Sequence, residues 1–108
     1  MTDETHTFIT VAASDELSEG ERLFLDIGRD PVLLLRLGGR VFAIADVCSH
    51  DGNPLGDGDL DGNAIRCPRH GARFDVRSGK ALCLPAIEDI PIYPVREIDG
   101  EIQIGVFG

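Results

Sequence analysis

The chain has 108 residues, 43% of them hydrophobic, enough for one domain with a small core and too few for two. Ten Lys and Arg stand against nineteen Asp and Glu, a formal charge of −9. That balance excludes nucleic acid and anionic membrane as partners, since both bind positive protein surface, and is compatible with a partner that presents a basic docking patch.

The opening MTDETHTFIT has no basic region followed by a long apolar stretch, so no signal peptide is expected there. Within it begins HTFITVAA, a weakly alternating stretch expected as an edge strand, followed by the polar connector ASDELSEGE with room for a single helical turn. RLFLDIG and PVLLLRL are short apolar runs bounded by Gly, Asp and Pro, and their lengths fit strands. Gly38-Gly39 suits the hairpin turn into the next strand, RVFAIAD, which delivers the chain to Cys48. Residues 51–63 hold five Gly or Pro and four Asp, the composition of a loop. AIRC and RFDV read as short strands, and RSGKALCL as a hairpin through Ser78-Gly79. IYPVREIDGEIQIGV reads as two strands joined at Asp99-Gly100. No stretch keeps a helical period over three turns, and PVLLL is too short to cross a bilayer. The expectation is an all-β antiparallel sandwich or small barrel, soluble and cytoplasmic, with an excursion over 47–76.

That excursion concentrates the chemistry. VCSH places Cys48 and His50 one residue apart, and RCPRHGARFDV places Cys67 and His70 two apart, with sixteen residues between the pairs. Two thiolates and two imidazoles suit either tetrahedral zinc or a [2Fe–2S] centre with two cysteines on one iron and two histidines on the other. Zinc fingers space their first pair more widely and place a helix before the last histidines. Here each loop offers one Cys and one His, which suits a two-iron centre held between two loops. DGDLDG, from Asp57, matches the first half of a calcium loop, but the twelfth position is Pro68 where a bidentate Glu is needed, so a solvated turn is the better reading.

C-x-H followed, after sixteen residues, by C-x-x-H resembles the Rieske iron–sulfur motif. CPRHGARFDVRSGKAL and CSHDGNPLGDGDLDG are similar to the two cluster loops of the small Rieske ferredoxins that serve bacterial ring-hydroxylating dioxygenases. The resemblance spans essentially the whole chain and includes Pro54, Gly71, Phe74, Asp75 and Gly79. It implies a single Rieske domain over 1–108, an antiparallel β-sandwich with a small cluster-binding subdomain inserted at about 46–80. It implies that Cys48 and Cys67 bind the inner iron and His50 and His70 the outer, solvent-facing one. The implied role is one-electron transfer from a flavin-dependent NAD(P)H reductase to a terminal oxygenase, by a monomer that transforms no substrate itself. Alternatives are an accessory protein or small subunit of an iron–sulfur assembly or reductase complex, and a structural Cys2His2 zinc module.

Departures from the quinol-oxidising members point the same way. Their two further loop cysteines correspond to Asn53 and Arg69, so their disulfide cannot form here, and their Ser and Tyr hydroxyls correspond to Ala72 and Phe74. Without those donors, the resemblance implies a potential near the bottom of the Rieske range. Elsewhere, Cys83 in ALCLPA is expected as a buried small hydrophobe, and His6 as solvated. Arg69 suits docking and solvent exposure equally, and Asp51 and Asp57 suit a solvated acidic rim.

Overall fold

The computed structural model describes residues 6–48, 54–68, 71–83 and 88–107, apart from the side chains of His6 and Phe107. Among these residues ten strands follow in order: β1 His6–Ala13, β2 Arg22–Ile27, β3 Asp30–Leu37, β4 Arg40–Ala45, β5 Leu60–Asp61, β6 Ala64–Arg66, β7 Arg73–Asp75, β8 Ile92–Tyr93, β9 Val95–Ile98 and β10 Glu101–Phe107. A single 3-10 turn, Ser14–Glu16, occupies the polar connector.

The strands form three antiparallel sheets. An end sheet runs β1-β10-β9, a middle sheet β2-β3-β4-β8, and a cluster sheet β5-β6-β7. β3 explains why the middle sheet has a neighbour on each face. Successive side chains of a strand point to opposite faces. Val32, Leu33, Leu34 and Leu35 are nonetheless all fully buried. Val32 and Leu34 pack with Ala12, Ile102 and Ile104 of the end sheet. Leu33 and Leu35 pack with Ile65, Phe74, Cys48 and Cys67 on the other side. The unbroken apolar run in the sequence is the mark of a strand covered on both faces.

Tight turns set the register. Gly38 and Gly39 both have positive φ, at 63° and 82°, between paired Leu37 and Arg40. Asp99 and Gly100 do the same, at 54° and 78°, between Ile98 and Glu101. Two positive φ values in succession are what a two-residue hairpin of right-handed twist needs.

Two expectations require correction. The C-terminal stretch is three strands, because Pro94 has no N–H to continue a ladder and the chain changes sheet there. β8 pairs with β4 in the middle sheet, while β9 pairs with β10 in the end sheet. The hairpin through Ser78-Gly79 does form, with the Asp75 N–H on the Lys80 carbonyl, but its far side is a lone bridge at Ala81. β1 lies at a sheet edge as expected.

Candidate metal centre

Cys48 follows β4, and Cys67 follows β6. Both are about 1% exposed and belong to one apolar cluster with Leu33, Leu35, Ile44, Leu55, Ile65, Ala72, Phe74, Val76 and Ile90. The fold thus brings together two sulfurs nineteen positions apart, and none of the three cysteines is in a disulfide. Two soft sulfur donors from two loops in one dry apolar core are the donors that iron–sulfur centres use, so the donor set fits an iron–sulfur cluster. His50 and His70 lie outside the described residues, as do Arg69, Asp51 and Asn53. Among the described residues, no group of three or more metal-binding side chains occurs.

The second loop is closed at its base by backbone hydrogen bonds. The Cys67 N–H donates to the Ala72 carbonyl at 2.7 Å, and the Gly71 N–H donates back to the Cys67 carbonyl at 3.0 Å. Gly71 has φ 77°, a conformation that costs a glycine nothing. The loop sits at the tip of β6 and β7, whose last pair is Arg66 and Arg73. Gly58 packs against this hairpin so closely that a β-carbon there would overlap the Arg66 carbonyl oxygen.

The first loop is closed by a side chain. Asp46, 8% exposed, is buried, and its Oδ1 accepts the Leu55 N–H at 2.8 Å and the Gly56 N–H at 2.7 Å. Its own N–H donates to the Pro31 carbonyl at 2.9 Å, tying the loop to the start of β3. Sequence reasoning did not single out Asp46. A lone acid two residues before Cys48 is the available signal, and in the sequence it is indistinguishable from a strand end.

Beyond the second loop, Asp75 turns the chain. Its carboxylate accepts the Arg77 backbone N–H at 2.8 Å and the Arg77 guanidinium at 2.9 Å. The Arg77 guanidinium holds the Asp75 carboxyl below its ordinary range, against the opposing effect of burial. Cys83 departs from expectation. It is half-buried rather than core, and its Sγ lies 3.7 Å from the Gly71 carbonyl, against the second loop. The apolar letters around it misled, since Leu82 beside it is 46% exposed. Asp57 is exposed, as a rim residue should be.

Comparison with known proteins agrees with this geometry. Residues 7–94 match the Rieske [2Fe-2S] domain. The chain is 33% identical over 96 residues to the anthranilate 1,2-dioxygenase ferredoxin subunit of Burkholderia cepacia, covering 89% of each. It is 42% identical over 91 residues to the 3-phenylpropionate/cinnamic acid dioxygenase ferredoxin subunit of Escherichia coli, covering 82% of this chain and 84% of that one. The solved ferredoxin of carbazole 1,9a-dioxygenase from Nocardioides aromaticivorans superposes with a TM-score of 0.84 at 35% identity, covering 91% of this chain and 96% of that one. A [2Fe–2S] cluster is the cofactor these matches assign, and electron transfer is the role. With its two buried thiols between two sheet-anchored loops, the chain belongs to the Rieske [2Fe-2S] family, as a ferredoxin-type electron carrier of the kind found in dioxygenase systems.

Proposed function

We propose that this chain takes one electron from a flavin-dependent NAD(P)H reductase and hands it to a terminal oxygenase, as a single-domain cytoplasmic monomer. Cys48 and Cys67 hold the inner iron and His50 and His70 the outer one. The observation that carries the reading is the burial of Cys48 and Cys67 in one apolar cluster between two loops. A solved relative of 28% identity, a carbazole 1,9a-dioxygenase ferredoxin, is described in complex with its reduced oxygenase, which supports an oxygenase as acceptor. Among the described residues no helix is long and apolar enough to cross a membrane, in keeping with a diffusing carrier.

When bound, the cluster accepts and releases a single electron. The chain's part is to exclude water from the inner side, through Leu33, Leu35, Ile65 and Phe74, and to hold the two loops apart at a fixed spacing. The net charge of −9 favours partners with basic docking surface, and their association should weaken as salt screens it.

The test is replacement of each of the four ligands by Ala in turn, followed by iron and sulfide analysis and EPR of the dithionite-reduced protein. Each variant is expected to lose the Rieske signal. A variant that keeps two irons, two sulfides and an unchanged spectrum removes that residue from the ligand set. Reduction of the purified protein by a flavoprotein reductase, and its reoxidation by an oxygenase, tests the carrier role directly.

A further inference from the structure

Three side chains converge on one glycine at the return of the first loop. The Asp46 carboxylate accepts the Gly56 N–H at 2.7 Å and that of its neighbour Leu55 at 2.8 Å. The Arg22 guanidinium donates to the Gly56 carbonyl. The Phe24 ring lies against the Gly56 α-carbon, so that a β-carbon there would overlap the ring edge.

β2 presents two of these groups by strand geometry. Arg22 and Phe24 are two residues apart and therefore share a face. They pair with Leu35 and Leu33, both members of the core that contains the two cysteines. Arg22 and Phe24 thus stand on the cluster side of the middle sheet, at its β2 edge. Phe24 is 53% exposed, so burial of its own surface does not account for its place there. Glycine at 56 lets the ring lie against the backbone, whose N–H and carbonyl at this residue face opposite charges.

We infer that Asp46, Arg22 and Phe24 are positioning residues that latch the returning limb of the first loop onto the end of β4 and onto β2, and so fix the place at which Cys48 meets iron. This rests on Cys48 being a ligand. Groups that orient ligands from behind typically change metal affinity by about 10- to 100-fold when removed. Asp46 is the strongest member, because its loss leaves the buried Leu55 and Gly56 N–H groups without the acceptor they have.

The experiment follows cluster loss from the holoprotein by decay of its visible absorption, together with EPR g-values after reduction. Asp46→Ala is expected to lose its cluster about 10- to 100-fold faster than the parent, with shifted g-values. Asp46→Asn keeps an oxygen acceptor and should restore most of the difference. Glu97→Gln, a control remote from the loops, should move neither readout. Asp46→Ala with parental decay and g-values would overturn the latch, as would Asp46→Asn faring no better than Asp46→Ala. If Asp46→Ala takes up no cluster, a cycle of Phe24→Ala and Gly56→Ala decides. The added methyl should accelerate loss in the parent and have little effect once the ring is gone, and simple additivity would overturn the contact. Retention of the cluster by Cys48→Ala would instead defeat the ligand reading on which the latch rests, so the two failures are distinguishable.

Discussion

The sandwich body and the cluster subdomain are built on different scales. In the body, β3 pairs with β2 over six residues and with β4 over six more. In the subdomain, β6 pairs with β5 over two residues and with β7 over three. Short ladders fix little by themselves. The subdomain compensates with single contacts: Asp46 on two loop amides, Gly58 against the Arg66 carbonyl, and the Ile90 N–H on the Gly79 carbonyl. What the body achieves by repetition, the subdomain achieves by particular residues and, on the family's evidence, by metal. The body should therefore be stable without the cluster and the subdomain should not.

The largest expected effect separates the two regions outright. Removing iron by chelation at reducing conditions, or replacing Cys67 by Ala, should abolish amide-exchange protection at Ile65 and Phe74, because ligand binding and folding are coupled. Protection at Leu33 to Leu35, bonded on both sides within the middle sheet, should persist. Equal loss in both regions would show that they fold as one unit and would break the comparison.

Next come two glycines in the subdomain that differ in kind. A methyl at Gly58 overlaps backbone, the Arg66 carbonyl, so Gly58→Ala must displace the β6 strand end that leads to Cys67. Overpacking of this sort costs about 1–3 kcal/mol or more. Gly62 has φ 63° and open space around it, so Gly62→Ala meets only the left-handed penalty of about 1–2 kcal/mol. Gly58→Ala should also hasten cluster loss, whereas Gly62→Ala should lower thermal stability alone. Calorimetry and absorbance decay on both variants check this.

Much of this was legible beforehand. The run PVLLLRL marked a strand, though not that both its faces are covered, and Cys48 and Cys67 of the spaced motif do meet in one core, while His50 and His70 lie outside the described residues. The latch was not legible. Arg22 and Gly56 lie 34 residues apart, and nothing in RLFLDIG distinguishes a latch from an ordinary alternating strand. Cys83 was misread because apolar neighbours say nothing of which side of a bend faces water. Pro94 was visible but its consequence, a change of sheet, depends on where β4 leaves an open edge.

A smaller effect concerns the potential. Ala72 and Phe74 are fully buried in the core that holds both cysteines, and neither can donate a hydrogen bond. A donor near the cluster stabilises the more negative reduced state. Ala72→Ser and Phe74→Tyr should each raise the midpoint by tens of millivolts, since about 59 mV corresponds to a tenfold change for one electron. Protein-film voltammetry measures it, and an unmoved midpoint in the double variant with its cluster intact would show that these positions do not face the sulfurs.

The smallest effect returns to the body. Arg36 Nη1 and Nη2 donate to the two Glu97 carboxylate oxygens at 3.1 and 2.8 Å, and the same guanidinium reaches the Leu17, Ser14 and Gly39 carbonyls. It joins the middle sheet to the end sheet. The Arg36 hydrogen bond holds the Glu97 carboxyl below its ordinary value, with burial opposing. A depressed folded-state value means that the stabilisation is complete above the unfolded carboxylate range and is lost as pH falls through the folded value. The pair is partly exposed, with Glu97 at 31%, so its worth is about 0.2–1 kcal/mol. Glu97→Gln should therefore lower the body's melting temperature slightly at neutral pH and not at all in strong acid. Asp75, held down by Arg77, offers the same acid sensitivity to the subdomain, on a pair whose arginine is 56% exposed. Asp75→Asn should leave the melting of the body unchanged at every pH. A shift of the body's transition in Asp75→Asn equal to that in Glu97→Gln would mean that the two regions melt together, and that metal does not set them apart.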